Sequence, residues 1–182
     1  MDKVFITGGA GFVGSRIVRQ FVDANYEVYV YDTFQQYLFP NPDETQHNLM
    51  IRLAEVYDRI EVIRGNTLNK DHLRRTINRI YPDIIIHTAS LPLANVAIDS
   101  TEEAFDSILT STFNLLEILR DFDKICRLVY LSSSMVYGDF QTETVSEEHP
   151  TNPKDIYGSI KLAGEILVSA YRKRHEIETS IV

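Results

Sequence analysis

The feature that most limits how this chain can fold is the segment Thr7-Gly8-Gly9-Ala10-Gly11-Phe12-Val13-Gly14. It joins the apolar run Val4–Ile6 to a helical stripe of Gly14, Ile17, Val18, Phe21 and Val22. Glycines at 8, 11 and 14 give the spacing G-x-x-G-x-x-G. Gly8 permits a tight turn, Gly11 lets a pyrophosphate approach the backbone, and Gly14 lets the helix pack closely on the strand. A helix opening at this point offers unpaired N–H groups and the positive end of its dipole to phosphates. The turn, Phe12 and Val13 included, is therefore the first candidate for cofactor binding.

The rest of the chain repeats the same alternation. Wholly apolar runs at Val28–Tyr31, Ile60–Ile63, Ile84–Ile86 and Leu128–Leu131 suit strands covered on both faces, as in a parallel sheet. Between them lie helical patterns. Phe105, Ile108, Leu109, Thr112, Leu115, Leu116 and Leu119 share one stripe, with Phe113 and Ile118 off it. A helix over 156–173 is expected to turn Ala163, Ile166, Leu167 and Ala170 inward. Strand alternating with helix predicts an α/β fold, a doubly wound parallel sheet of the Rossmann type. The stretch from Asp32 to Asn48, with Pro40 and Pro42, reads as a long loop beside the cofactor site. Glu178–Val182 reads as a sixth strand just beginning, so residues 1–182 are expected to form one dinucleotide-binding domain truncated at that strand.

Composition narrows the function. A net charge of −8 argues against non-specific nucleic-acid binding. No apolar stretch approaches the ~20 residues that span a bilayer, and the N-terminus lacks the regions of a secretion signal. A cytoplasmic location is expected. The single cysteine, Cys126, beside the run Leu128–Leu131, reads as a buried, inert thiol. His47, His72, His149 and His175 are scattered, and no Cys/His/Asp cluster has metal-ligand spacing.

Asp32, at the end of the second strand, would accept hydrogen bonds from the adenosine ribose hydroxyls and repel a 2′-phosphate. Thr33, Phe34 and Gln35 follow it, with no arginine or lysine to neutralise that phosphate, so NAD is preferred over NADP. Further along, Tyr157-Gly158-Ser159-Ile160-Lys161 stacks a tyrosine and a lysine on one helix face. A nearby ammonium favours tyrosinate, lowering the phenol's pKa from about 10 and making Tyr157 a candidate general base.

The glycine turn, the segment Leu131-Ser132-Ser133-Ser134-Met135-Val136-Tyr137-Gly138 and the Tyr157–Lys161 segment occur in the order and spacing of extended short-chain dehydrogenase/reductases. The chain resembles the front portion of that family, which includes the nucleotide-sugar epimerases. The resemblance implies a catalytic triad of Ser133, Tyr157 and Lys161, with Ser132 and Ser134 as neighbouring candidates for the serine. Asn66, followed by Thr67, stands where the family has an aspartate that contacts adenine. His87-Thr88-Ala89-Ser90 resembles the exit of the fourth strand, whose backbone lines the cofactor, with His87 structural. Ile108 and Ser111 replace an asparagine and a glycine that the family carries after that strand.

For a nucleotide-sugar 4-epimerase the resemblance implies that Tyr157 removes the 4-hydroxyl proton while hydride passes transiently to NAD. Ser133 would steady the reacting oxygen, and Lys161 would hold the nicotinamide ribose. Related 4,6-dehydratases carry Asp-Glu after the catalytic residue where this chain has Ser134-Met135, so epimerisation is the expected reaction. An NAD-dependent dehydrogenase and a non-catalytic cofactor-binding fragment are the alternatives. The expected partners are a nucleotide-sugar and, through the helices at roughly 101–120 and 156–173, a second copy of the chain as a homodimer.

Overall fold

The computed structural model describes residues 1–35, 50–91 and 94–182. Six strands form one parallel sheet: β1 (Lys3–Thr7), β2 (Glu27–Asp32), β3 (Ile60–Arg64), β4 (Ile84–His87), β5 (Arg127–Tyr130) and β6 (Thr179–Ile181). Their order, β3-β2-β1-β4-β5-β6, reverses direction between β1 and β4, the doubly wound arrangement expected from the sequence. The loop expected after Asp32 lies, beyond residue 35, outside the described residues. No described helix is long and apolar enough to cross a membrane.

Apolar runs without polar alternation become central strands because each strand sends alternate side chains to two covered faces. Phe5 pairs with Tyr29 and Ile85, and Ile85 with Leu128, so these four form one row across the sheet. That row packs under α2 (Lys70–Ile80), α5 (Ser111–Arg120) and α6 (Ile156–His175), through Leu73, Ile77, Leu115, Leu116 and Val168. Val4, Ile6, Val28, Val30 and Ile86 point the other way, against Val18 and Val22 of α1 (Phe12–Asp23) and against Leu53 and Val56. Each such fully buried aliphatic or aromatic side chain contributes about 1.5–3 kcal/mol. Cys126 lies in the first of these layers, and burial pushes its thiol up to about 12, as an inert core cysteine should behave.

A third, smaller cluster of Leu91, Ala97, Ala104, Ile108 and Ile160 sits beyond the strand ends. It joins α3 (Ala94–Asp99) and α4 (Thr101–Ala104) to α6. Between α4 and α5 the helix widens into a π-helical segment, Phe105–Thr110. Ile118, expected off the inward stripe, is buried together with Ser111, Thr112, Asn114, Leu115, Leu116 and Leu119, so α5 is covered around most of its girth, while Phe105, expected on the stripe, is half exposed.

The expected inward face of α6 is also corrected. Gly158, Ile160, Lys161, Gly164 and Val168 are buried, whereas Ile166 is 61% exposed and Ala170 is exposed. Apolarity misleads here because the buried face carries a lysine and two glycines. A Cβ on Gly164 would come within 2.2 Å of the Tyr130 hydroxyl, so only glycine lets the helix lie that close to β5.

Candidate functional site

A cavity of about 540 Å³ opens at the carboxyl ends of the strands around the β1/β4 reversal. This is where doubly wound sheets bind ligands. Its wall brings together Gly8, Gly11, Phe12, Val13 and Gly14 from the turn, Asp32 from the end of β2, Asn66 and Thr67 after β3, and Ala89 after β4. Tyr157 and Lys161 reach it from α6. Ser133 lies off this wall, and Ser132 lines it.

The glycine turn has the shape its spacing predicts. Gly8 has φ +71°, a conformation open to glycine, and a Cβ there would meet the Ala89 nitrogen at 2.6 Å. A Cβ on Gly14 would meet the Gly8 carbonyl at 2.2 Å and the Gly9 Cα at 2.8 Å. The turn closes through the Gly11 N–H donating to the Gly8 carbonyl at 3.0 Å. Gly11 caps α1, no side chain bonds to the cap, and the first turn holds no acid. Capping residues that would normally occupy those N–H groups are thus absent where an anion would bind. The residues fit a dinucleotide.

Asp32 has two tasks. Its Oδ2 accepts from the Ala10 N–H at 3.0 Å and its Oδ1 from the Phe34 N–H at 2.9 Å, so it fixes both the glycine turn and the exit from β2. Burial raises its pKa, while these backbone donors and the nearby Arg52 guanidinium oppose the rise. Asn66 is exposed; its Oδ1 accepts from the Leu68 N–H at 2.9 Å, and its carbonyl accepts from the Tyr31 hydroxyl at 3.2 Å.

His87 ties β4 to the turn. Its Nδ1 shares a hydrogen bond with the Thr7 hydroxyl at 2.7 Å, and its Nε2 lies 3.3 Å from the Ser111 hydroxyl. Complete burial, with Lys161 nearby, pulls its pKa down to about 3. A ring held neutral and bonded at both nitrogens has a structural role, as its place in the sequence suggests. Ser111 also donates to the Ser107 carbonyl at 2.6 Å, and Ser107 itself lines the cavity while Ile108 is buried.

At the other end of the cavity Asp155 caps α6, accepting from the Gly158 N–H at 2.7 Å, and so places Tyr157 in the first turn of the helix. The hydroxyls of Ser90 and Ser133 face the phenol and favour its ionised form, but burial outweighs them and raises the Tyr157 pKa. The expected lowering by Lys161 is therefore corrected. The Lys161 ammonium sits 5.9 Å from the centre of the Tyr157 ring and donates to the Leu131 carbonyl at 2.8 Å. Burial pulls its own pKa down to about 8, against the pull of Glu165 upward. Glu165 in turn accepts from the Ser132 hydroxyl. Ser133 caps the short helical turn Ser134–Val136, its Oγ accepting from the Met135 N–H at 3.2 Å, and Ser134 is exposed.

Three contributors to the site have no motif to announce them, and a fourth, Ser90, closes the His87–Ser90 segment, whose backbone and not its side chains carried the resemblance. Arg52 and Ser90 both line the cavity. Ser107 reaches it through the π-helical segment, and Glu165 follows Lys161 by one helical turn, a spacing that a search for charge pairs on one helix face would find.

Comparison with known proteins agrees with this fold. Curated relatives include a UDP-glucose 4-epimerase assigned in Methanocaldococcus jannaschii, 30% identical over 180 residues that cover 98% of this chain and 54% of that protein. Another is the UDP-glucose 4-epimerase of Mus musculus, 30% identical over 92% of this chain and 48% of that one. The chain spans about half the length of the curated relatives it matches. Among solved structures, UDP-glucuronic acid 4-epimerase from Bacillus cereus, in complex with UDP-glucuronic acid and NAD, superposes with a TM-score of 0.84 at 29% identity, covering 98% of this chain and 55% of that one. UDP-glucose 4-epimerase from Thermus thermophilus, in complex with NAD, gives 0.82 at 26% identity, covering 98% and 53%. The sequence model described as GDP-mannose 4,6-dehydratase matches residues 5–182, and the chain belongs to that family of epimerases and dehydratases.

Proposed function

We propose that this chain is the cofactor-holding portion of an NAD-dependent nucleotide-sugar 4-epimerase that works through Ser133, Tyr157 and Lys161. One observation carries the reading: a single cavity runs from the glycine turn and Asp32 to Tyr157 and Lys161. A phosphate-binding turn and a titratable pair therefore serve one ligand-sized space.

The turn and the opening of α1 would hold the pyrophosphate, Asp32 the adenosine ribose, Asn66 and Thr67 the adenine side, and the Ala89 backbone the middle of the dinucleotide. NAD, when bound, supplies a reversible hydride acceptor and a positive ring that favours tyrosinate. Tyr157 takes the proton from the sugar 4-hydroxyl and later returns it. Ser133 donates a hydrogen bond to the reacting oxygen, and Lys161 holds the ribose next to the reacting ring. Burial raises the Tyr157 pKa, and the positive ring of a bound NAD would act in the opposite direction, toward tyrosinate.

Dehydration is the second reading, favoured by the name of the matching family. Against it, Ser134 and Met135 provide no carboxyl group for the acid and base steps that eliminating water requires. The outward face of α5 and α6 supports pairing with a second copy: Phe105, Phe113, Ile156 and Ile166 are large apolar side chains left exposed along 101–120 and 156–173.

Incubating the 182-residue chain with NAD and either UDP-glucose or UDP-galactose, and separating the sugars, tests the reading. Interconversion without accumulating NADH is the expected result. Stoichiometric NADH would mark a dehydrogenase, a 4-keto-6-deoxy product a dehydratase, and bound NAD without any turnover a cofactor-binding module.

A further inference from the structure

The residues that follow Asp32 in sequence offer no cation to a cofactor phosphate, but the folded chain brings one from elsewhere. Arg52 lies on the helical turn at 50–53 and lines the same cavity wall as Asp32, Thr33 and Gln35. Its backbone is fixed on both sides. Leu53 is fully buried in the layer under α1, and the Arg52 carbonyl accepts from Arg19 Nη2 at 2.8 Å. Arg19 is itself paired with Glu55 at 3.2 Å. From this anchored position the guanidinium reaches back to the glycine turn, where Nη1 lies 3.5 Å from the Ala10 carbonyl. The N–H of the same Ala10 donates to Asp32 Oδ2 at 3.0 Å. A cation and a carboxylate thus meet one residue of the phosphate-binding turn from its two polar groups.

The two charges make opposite demands on a ligand. A carboxylate accepts from the 2′- and 3′-hydroxyls of a ribose and repels a 2′-phosphate. A guanidinium is a planar donor fork that matches phosphate oxygens. Selectivity between two cofactors is the difference between their affinities, so a site holding both groups discriminates less than either group would alone.

We propose that Arg52 is a cofactor-specificity residue, presenting its guanidinium to the ribose end of the cavity and giving the site a capacity for a 2′-phosphate that Asp32 opposes. The proposal rests on the reading of this cavity as a dinucleotide site. It makes the preference for NAD a balance: removing the carboxylate releases NADP binding, and removing the guanidinium sharpens the preference for NAD.

The test is calorimetric titration of NAD and NADP into the wild-type chain, Arg52→Gln, Asp32→Asn and the double variant. Asp32→Asn is expected to move the NADP-to-NAD affinity ratio toward NADP by about tenfold or more. Arg52→Gln moves the ratio away from NADP by about fivefold and, in the double variant, cancels most of the gain from Asp32→Asn. Arg52→Lys, which keeps the charge without the fork, gives an intermediate ratio. A purely structural Arg52 would change both affinities together and leave the ratio unmoved in both backgrounds, which overturns the proposal while the cofactor reading stands. Failure of the folded wild-type chain to bind either dinucleotide overturns both.

Discussion

Gly14→Ala is expected to destabilise the chain by about 3 kcal/mol, because overpacking against atoms that cannot rotate away lies at the upper end of the usual range. The new methyl would stand 2.2 Å from the Gly8 carbonyl oxygen, 2.8 Å from the Gly9 Cα and 2.9 Å from the Gly8 carbonyl carbon, all of them backbone. Relief requires α1 to lift off the turn, and α1 carries Val18 and Val22 into the core. Gly11→Ala provides the contrast. A Cβ there meets only the Gly8 carbonyl, at 3.1 Å, and it lies on the cavity wall. It should cost less than about 1 kcal/mol in stability yet weaken NAD by tenfold or more, since the methyl occupies space the pyrophosphate needs. Urea midpoints and NAD titrations of the two variants separate these effects. Equal stability losses in both would show that the turn is not packed as described.

Tyr157→Phe should lower kcat for UDP-sugar interconversion by about a thousandfold, in the middle of the range for losing a positioned acid–base group. NAD affinity should change little, because the ring that lines the cavity is retained. Stability should fall by no more than about 0.5–1.5 kcal/mol, the net worth of the hydrogen bonding between the phenol and the Ser90 and Ser133 hydroxyls. A variant that keeps more than a tenth of the wild-type kcat would remove Tyr157 from the role of proton-transfer residue and move attention to Ser133, Ser132 or Lys161.

Much of the architecture was legible in the residues because it depends on local pattern. The first five strands fall within a residue or so of the apolar runs that announced them, for example Lys3–Thr7 around Val4–Ile6. Strands covered on both faces leave a continuous apolar signal with little ambiguity. The glycine turn, Asp32, Tyr157 and Lys161 were also readable, since each sits at a fixed offset from a strand or helix end, and all of them line one cavity. Features that escaped the sequence depend on distance or on side chains used against type. Arg52 joins Asp32 only through the packing of Leu53 and the Arg19 contact to its carbonyl. The inward face of α6 is centred on Lys161 and Gly164, so the apolar stripe placed Leu167 correctly against the core but Ile166 and Ala170 on the wrong side. Ile118 escaped because α5 is buried around most of its girth, and Phe105 because it opens the π-helical segment, where the 3.6-residue period no longer applies. The direction of the Tyr157 pKa is not legible in the sequence, because i, i+4 spacing brings a lysine near without setting the degree of burial, and here burial decides.

The measurement that bears most directly on the central claim is calorimetric titration of NAD into the purified 182-residue chain and into Asp32→Ala. Cooperative unfolding should be demonstrated for both proteins beforehand. Saturable one-to-one binding by the wild type, weakened about tenfold or more in the variant, is the predicted result. No binding to a wild-type chain that unfolds cooperatively, or equal binding by the two proteins, would contradict the assignment of this cavity as an NAD site.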